Sequence, residues 1–219
     1  MFLTAHGLSS ANPKSLSGIV QTGGTSSSQA LPNLHVSLFE ATTGQPTMLG
    51  QATTDASGQF SIRYTRGTSH SIFFVTADVG HGVEFVSILG PKLPSSVTLN
   101  ELTTVAASYS MAQFLRSSVI SGNSFGLQLA AGMNDNIVVA ATGQSSAVLL
   151  SSPNADQTNS LRSTRSLANL LAACVQDPTV TATLFALTTP AGGSLRAIPR
   201  SPLQTLLVIP ARTWMGSTP

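Results

Sequence analysis

TLNELTTVAASYSMAQFL, residues Thr98–Leu115, is the stretch whose reading decides the fold. Thr98 followed three residues later by Glu101 has the form of a capping box, a hydroxyl residue and an acid that satisfy each other's backbone N–H groups at a helix start. Leu102, Val105, Ala106 and Tyr109 then recur at i, i+3, i+4 and i+7, one face of a helix. Before this stretch the chain reads as short strands and turns, and after it as helices and Ser/Thr-rich connections. A seam is therefore expected near residue 97. The reading gives a loose leader over 1–14, a β part over 15–97, a helical part over 98–209 and a tail over 210–219.

Upstream of the seam, apolar runs alternate with turn signals. Leu16–Gln21 is the first run. In Leu34–Glu40, Leu34, Val36 and Leu38 share one face, and His35, Ser37 and Phe39 share the other. Met48–Thr54 is a third run. Asp55–Gly58 reads as a tight turn, after which Phe60, Ile62 and Tyr64 alternate with Ser61 and Arg63. Ser71–Ala77 and Val83–Leu89 complete the set before Pro91 and Pro94. Six or seven strands at this spacing, with no helix between them, predict a small β-sandwich.

The stretches Ser17-Gly18-Ile19-Val20, Leu34–Phe39 and Thr53-Thr54-Asp55-Ala56-Ser57-Gly58-Gln59-Phe60 resemble the carboxypeptidase-regulatory-like, or transthyretin-like, β-sandwich. The TTDxxGxF hairpin of that family is present in full. In such a hairpin the Asp side chain caps the turn, the Gly permits its backbone and the Phe plugs the core. The resemblance implies an Ig-like antiparallel sandwich used as an accessory module for folding, adhesion or spacing.

Downstream, Phe125–Val139 reads as a second helix, weakened by Gly132 and Asn134-Asp135-Asn136. Residues 142–160 read as a long Ser/Asn-rich loop around an apolar patch, Ala147–Leu150. Ser163 or Thr164 is the expected cap of a third helix. There Leu167, Leu170, Leu171, Cys174 and Val175 form the clearest amphipathic pattern in the chain, and Asp177-Pro178 stops it. Thr179–Thr188 is a short helix candidate, and Leu203–Ile209 a last apolar run. The segments Asn100–Ala107, Ser166–Val175 and Leu184–Gly193 resemble the N-terminal region of uncharacterised secreted bacterial proteins in which an NHL-type β-propeller follows. Two departures stand out. That group carries a second cysteine after the position of Cys174, and Thr179–Thr183 offers none. The chain also stops at Pro219, where the group's propeller would begin, so an N-terminal fragment of a larger propeller-containing protein is one expectation.

The composition narrows the function classes. Charged residues are 8% of the chain, against about a quarter in an average domain, while 42% are hydrophobic. Mean hydropathy is +0.23, which is not the profile of a disordered chain. The balance suits secreted or surface-attached proteins better than cytosolic enzymes. The net charge is +2, and the mild excess of Arg162, Arg165, Arg196, Arg200 and Arg212 over Asp177 carries no interleaved aromatics, so nucleic acid is not an expected partner. No run approaches the ~20 apolar residues of a membrane span. The start, MFLTAHGLSSANPKSL, lacks a basic region and an apolar region of useful length, so either the protein is cytoplasmic and not exported or the leader of a secreted protein is missing from this chain. Cys174 is the only cysteine, which excludes an internal disulfide and a cysteine metal cage.

Candidate sites are sparse. Gly122-Asn123-Ser124-Phe125-Gly126 matches the G-x-S-x-G nucleophile elbow, but a hydrolase needs a His after the nucleophile, and His81 is the last in the chain. Asp78, His81 and Glu84 could chelate a metal only if their loop curled into a helical turn, against which Gly80 and Gly82 argue. His35 lies on the polar face of its strand and His70 in a turn. Cys174, among Leu and Ala, reads as a buried inert thiol. Phe2 and Trp214 are terminal aromatics. Phe39, Phe73, Phe74 and Phe85 are the candidates for a carbohydrate-stacking sheet face. No catalytic, cofactor-binding or metal-binding residue is assigned. The expected class is α+β, an N-terminal Ig-like, transthyretin-like antiparallel β-sandwich followed by a small all-α domain. The expected function is a non-enzymatic extracytoplasmic structural, adhesion or spacer module. Its expected ligand class is a cell-surface component or glycan, with no cofactor. A carbohydrate- or small-ligand-binding sandwich is the further alternative.

Overall fold

The computed structural model describes residues 14–24, 28–65, 71–116 and 119–188. In chain order the strands of the first half are β1 (Lys14–Thr22), β2 (Gln29–Ala30), β3 (His35–Glu40), β4 (Thr47–Thr53), β5 (Gln59–Tyr64), β6 (Phe73–Gly80), β7 (Val83–Gly90) and β8 (Ser96–Leu99). Then come α1 (Glu101–Ser110), β9 (Leu115–Arg116), β10 (Val119–Ile120), α2 (Ser124–Asp135), β11 (Val138–Val139) and β12 (Gln144–Ser145). The described chain closes with α3 (Ala147–Leu150), α4 (Ser160–Gln176) and α5 (Pro178–Thr188). The class is α+β. The leader up to Pro13, His70, Leu203–Ile209, Trp214 and the tail lie outside the described residues.

The strands make two four-stranded sheets. One joins β2, β1, β5 and β8, and the other runs β4-β3-β6-β7 with antiparallel neighbours. In the first sheet, Gly18 opposes Phe60 of β5 on one side and Val97 of β8 on the other. The β8 pairing is parallel, whereas β5 is antiparallel. The alternation read in β5 is met residue by residue, with Phe60, Ile62 and Tyr64 buried and Gln59, Ser61 and Arg63 exposed. The Asp55 turn also has the expected chemistry. Its carboxylate accepts from the Ser57 and Gln59 amides at 2.8 and 2.9 Å. Gly58 sits at φ 72°, and a Cβ there would lie 2.6 Å from the Val20 carbonyl oxygen, so both the conformation and the space require glycine.

Three apolar clusters organise the packing. The largest joins the facing sides of the sheets, Leu16 and Ile62 of one to Leu38, Val75 and Phe85 of the other, and takes in Leu171 and Cys174 from α4. The opposite side of the second sheet is also covered. Phe74, Val86 and Ile88 pack there against Ala107 and Met111 at the end of α1 and Leu127, Ala130 and Ala131 of α2. β7 is therefore buried along nearly its whole length, with Ser87 among the buried residues. The third cluster, Leu102, Val105, Ala106, Val138 and Ala168, holds α1 to α4. The edge of β7 is closed by α1, where the Val86 amide donates to Thr104 Oγ1 at 3.1 Å.

Several local expectations are corrected. Thr98 belongs to β8, not to a helix start. Its amide donates to the Ala140 carbonyl and its hydroxyl to the Ala141 carbonyl. Asn100 caps α1 instead, accepting from the Thr103 amide at 3.0 Å while Thr103 Oγ1 receives the Asn100 amide at 3.0 Å. Tyr109 is 56% exposed rather than on the buried face. α1 is buried on almost every other side because Thr103, Thr104, Ala106, Ala107 and Ser108 are small enough to admit neighbours all round. α4 begins at Ser160, before Ser163 and Thr164, and its Asn159 cap makes no side-chain capping bond. Residues 142–160 contain β12 and α3 rather than only a loop.

Candidate functional site

The most enclosed carboxylate near the surface is that of Glu101, at the first position of α1 and 1% exposed. Its Oε1 accepts from the Thr22 hydroxyl and from the Gly23 amide, the latter at 3.1 Å. A helix N-terminus favours an anion, so the side chain is held by three matched features and ties the end of β1 to α1. Beside it lies a cleft of about 470 Å³ that includes Gln144, Ser145 and Arg165. Because Glu101 is engaged by its own fold, this cleft reads first as the lip of a structural junction.

A second cleft, about 520 Å³, opens on the other side of α1. Val105, Ile137, Leu149 and Leu167 supply its apolar lining, and Tyr109 and Val148 add to its walls. Asn136, Asn154, Asn159, Ser160, Ser163 and Thr164 supply the polar part. α3 reaches the cleft because Ser146 caps it, accepting from the Leu149 amide at 3.1 Å while its own hydroxyl is bonded to the Asn136 carbonyl.

The candidates read from sequence are dispersed. Ser124 starts α2 behind an Asn123 cap that accepts from Gly126 at 2.8 Å, and its hydroxyl accepts from Gln128 Nε2 at 3.2 Å. That is a capped helix start rather than a strained elbow leaving a long strand. Asp78 and Glu84 are cross-strand neighbours, and His81 sits at the hairpin tip between them at φ 53°. His81 and Gly82 both have positive φ, the two-residue type I′ form. Asp78 Oδ1 accepts from the Gly80 amide at 2.9 Å, a turn role. Among the described residues no group of three His, Cys, Asp or Glu side chains is placed to hold a metal. Burial lifts the Glu84 carboxyl above its usual range, opposed by a hydrogen bond with Thr76 and helped by the Asp78 charge. Thr179 does the reverse for Asp177, whose carboxylate it holds down through its hydroxyl and amide; His81 adds a small attraction.

Cys174 is 1% exposed, and burial pushes its thiol up, away from a reactive thiolate. Phe73, Phe74 and Phe85 are buried, and Phe39 stacks on Phe74 with ring centroids 5.2 Å apart. These rings fill cores rather than form an open stacking face. His35 is exposed on β3, as read. The second cleft has no sequence signature, because Tyr109, Asn136, Val148 and Ser163 come from four separate elements. No helix among the described residues is long and apolar enough to cross a membrane.

No family model and no curated protein matches the chain. Among solved structures, a 9R-lipoxygenase from Cyanothece PCC8801 is similar over 35% of this chain and 12% of its own, at 18% identity and a TM-score of 0.27. A likeness that partial carries no argument about fold or activity.

Proposed function

We propose that the chain is a non-enzymatic extracytoplasmic module with a structural, adhesion or spacer role, built as an Ig-like, transthyretin-like sandwich followed by a small helical domain. The observation that carries this reading is the sharing of cores. One apolar cluster spans both sheets and α4, and a second spans the outer side of the β4-β3-β6-β7 sheet, α1 and α2. A body knit in that way holds its surfaces at fixed separation, which a spacer or adhesive unit needs. The low share of charged side chains, 8%, supports an extracytoplasmic setting. The test is labelling of intact source cells with a membrane-impermeant amine reagent, for which Lys14 and Lys92 are exposed. Labelling without lysis is expected, and labelling only after lysis would reject the placement.

A second reading, binding of a small ligand, is favoured by the Tyr109 cleft. Its volume lies within the roughly 300–1,000 Å³ of ordinary ligand sites.

A further inference from the structure

We infer that the cleft between α1, α3 and the first half of α4 binds an uncharged small molecule with an apolar, ring-sized body and a hydrogen-bonding edge. This deepens the small-ligand reading and rests on it.

The first argument is where apolar surface is left in water. α1 hides nine of its ten residues, yet its one large aromatic, Tyr109, is 56% exposed. α3 buries Leu149 but leaves Val148 49% exposed. Both exposed side chains line the same concavity, over a lining of Val105, Ile137 and Leu167. Exposed apolar groups scattered on a convex surface need no explanation, whereas a concave cluster of them marks a place where another apolar body can be desolvated.

The second argument is charge. No carboxylate, imidazole, ammonium or guanidinium group is among the residues lining the cleft. Arg162 of α4 is outside the lining and is engaged at its rim, donating to Asn159 Oδ1 at 2.9 Å. An ionic ligand would lose its hydration here with no charged side chain in the lining to replace it. A neutral one would lose little.

The third argument is which polar groups remain for use. Asn154 Nδ2 donates to the Val148 carbonyl of α3 and Thr164 Oγ1 to the Ser160 carbonyl of its own helix, so both are engaged within the fold. Asn136 and Ser163 are exposed and offer an amide and a hydroxyl to the ligand's edge.

The probe for the test is Nile red, a neutral fused-ring dye whose emission rises and shifts to the blue in apolar surroundings, titrated into the full chain. Saturable binding is expected. Val148→Asp, a charge at a half-exposed position, should weaken it at least tenfold, and Tyr109→Ala several-fold. Phe125→Ser, on the outer face of α2, should leave it unchanged. No saturable emission overturns the inference. So does a signal lost in Phe125→Ser and kept in Val148→Asp, which would place the apolar site on α2. The cell-labelling result is independent. Labelled cells with no dye binding reject the cleft and keep the extracytoplasmic module, and the opposite pattern does the reverse.

Discussion

Glu101 shows how much one side chain can decide. Its carboxylate is buried, and it satisfies a hydroxyl and an amide from a strand more than seventy residues earlier. Glu101→Ala strands both donors, which should cost about 1–3 kcal/mol. The expected readout is a lower urea midpoint with an unchanged slope, and an unchanged midpoint would reject the tie. Read from sequence alone, Glu101 pairs with Thr98 in a capping box. Thr98 and Asn100 are both good cap residues, and the choice between them is made by the carbonyls of Ala140, Ala141 and Gly143, which lie far away in sequence.

Glu84 makes a pH-dependent prediction. Its folded-state pKa is raised above the ordinary 4.5, chiefly by burial. Between those two values the folded protein keeps a proton that the unfolded chain has released. Stability therefore falls as pH rises from about 4.5 through the folded pKa, and remains lower above it. Glu84→Gln should remove that dependence and gain up to about 1 kcal/mol at pH 7. Urea melts at pH 4.5 and pH 7 check it; a variant that loses stability at pH 7 would refute it.

Among elements, strands that alternate over a half-exposed sheet were the most legible. β5 and β3 followed the reading because a period of two leaves no ambiguity about which face is buried. β8 was missed. Its four residues sit beside a strong helix signal, and it exists because β1 offers a free edge to it. The sequence of α1 marks a helix but not its faces, since a helix packed against a sheet, α2 and α4 at once has no polar side to read. Leu102 and Tyr109 should therefore respond differently. Leu102 is 6% exposed within the α1–α4 cluster. Leu102→Asp should lower Tm sharply, at a cost of several kcal/mol. Tyr109→Ala should shift stability by about 0.5 kcal/mol or less. Equal shifts in thermal melts would mean that the orientation of α1 is wrong.

At the scale of the whole molecule, the amphipathic pattern in α4 was legible, but its destination was not. Leu171 and Cys174 enter the cluster formed between the two sheets, so the helical part completes the core of the β part. Leu171→Ala should cost about 2–5 kcal/mol. It should lower the far-ultraviolet and near-ultraviolet transitions together, since both parts lose the same packing. A variant in which the β signal melts unchanged while the helical signal melts early would refute the shared core. Limited proteolysis of the native chain should likewise leave sheets and helices joined.

β1 carries a consequence for synthesis. It pairs with β5 on one side and with β8 on the other, and β8 ends at Leu99. Among the described strands, β1 is thus the earliest in the chain and among the last to be closed. Until residues 96–99 emerge, one margin of the nascent sheet stays open to strands of other chains. Vectorial production of this protein is most vulnerable during that interval. Pauses that hold Ser96–Leu99 inside the ribosome should raise aggregation, and pauses made after those residues have emerged should not.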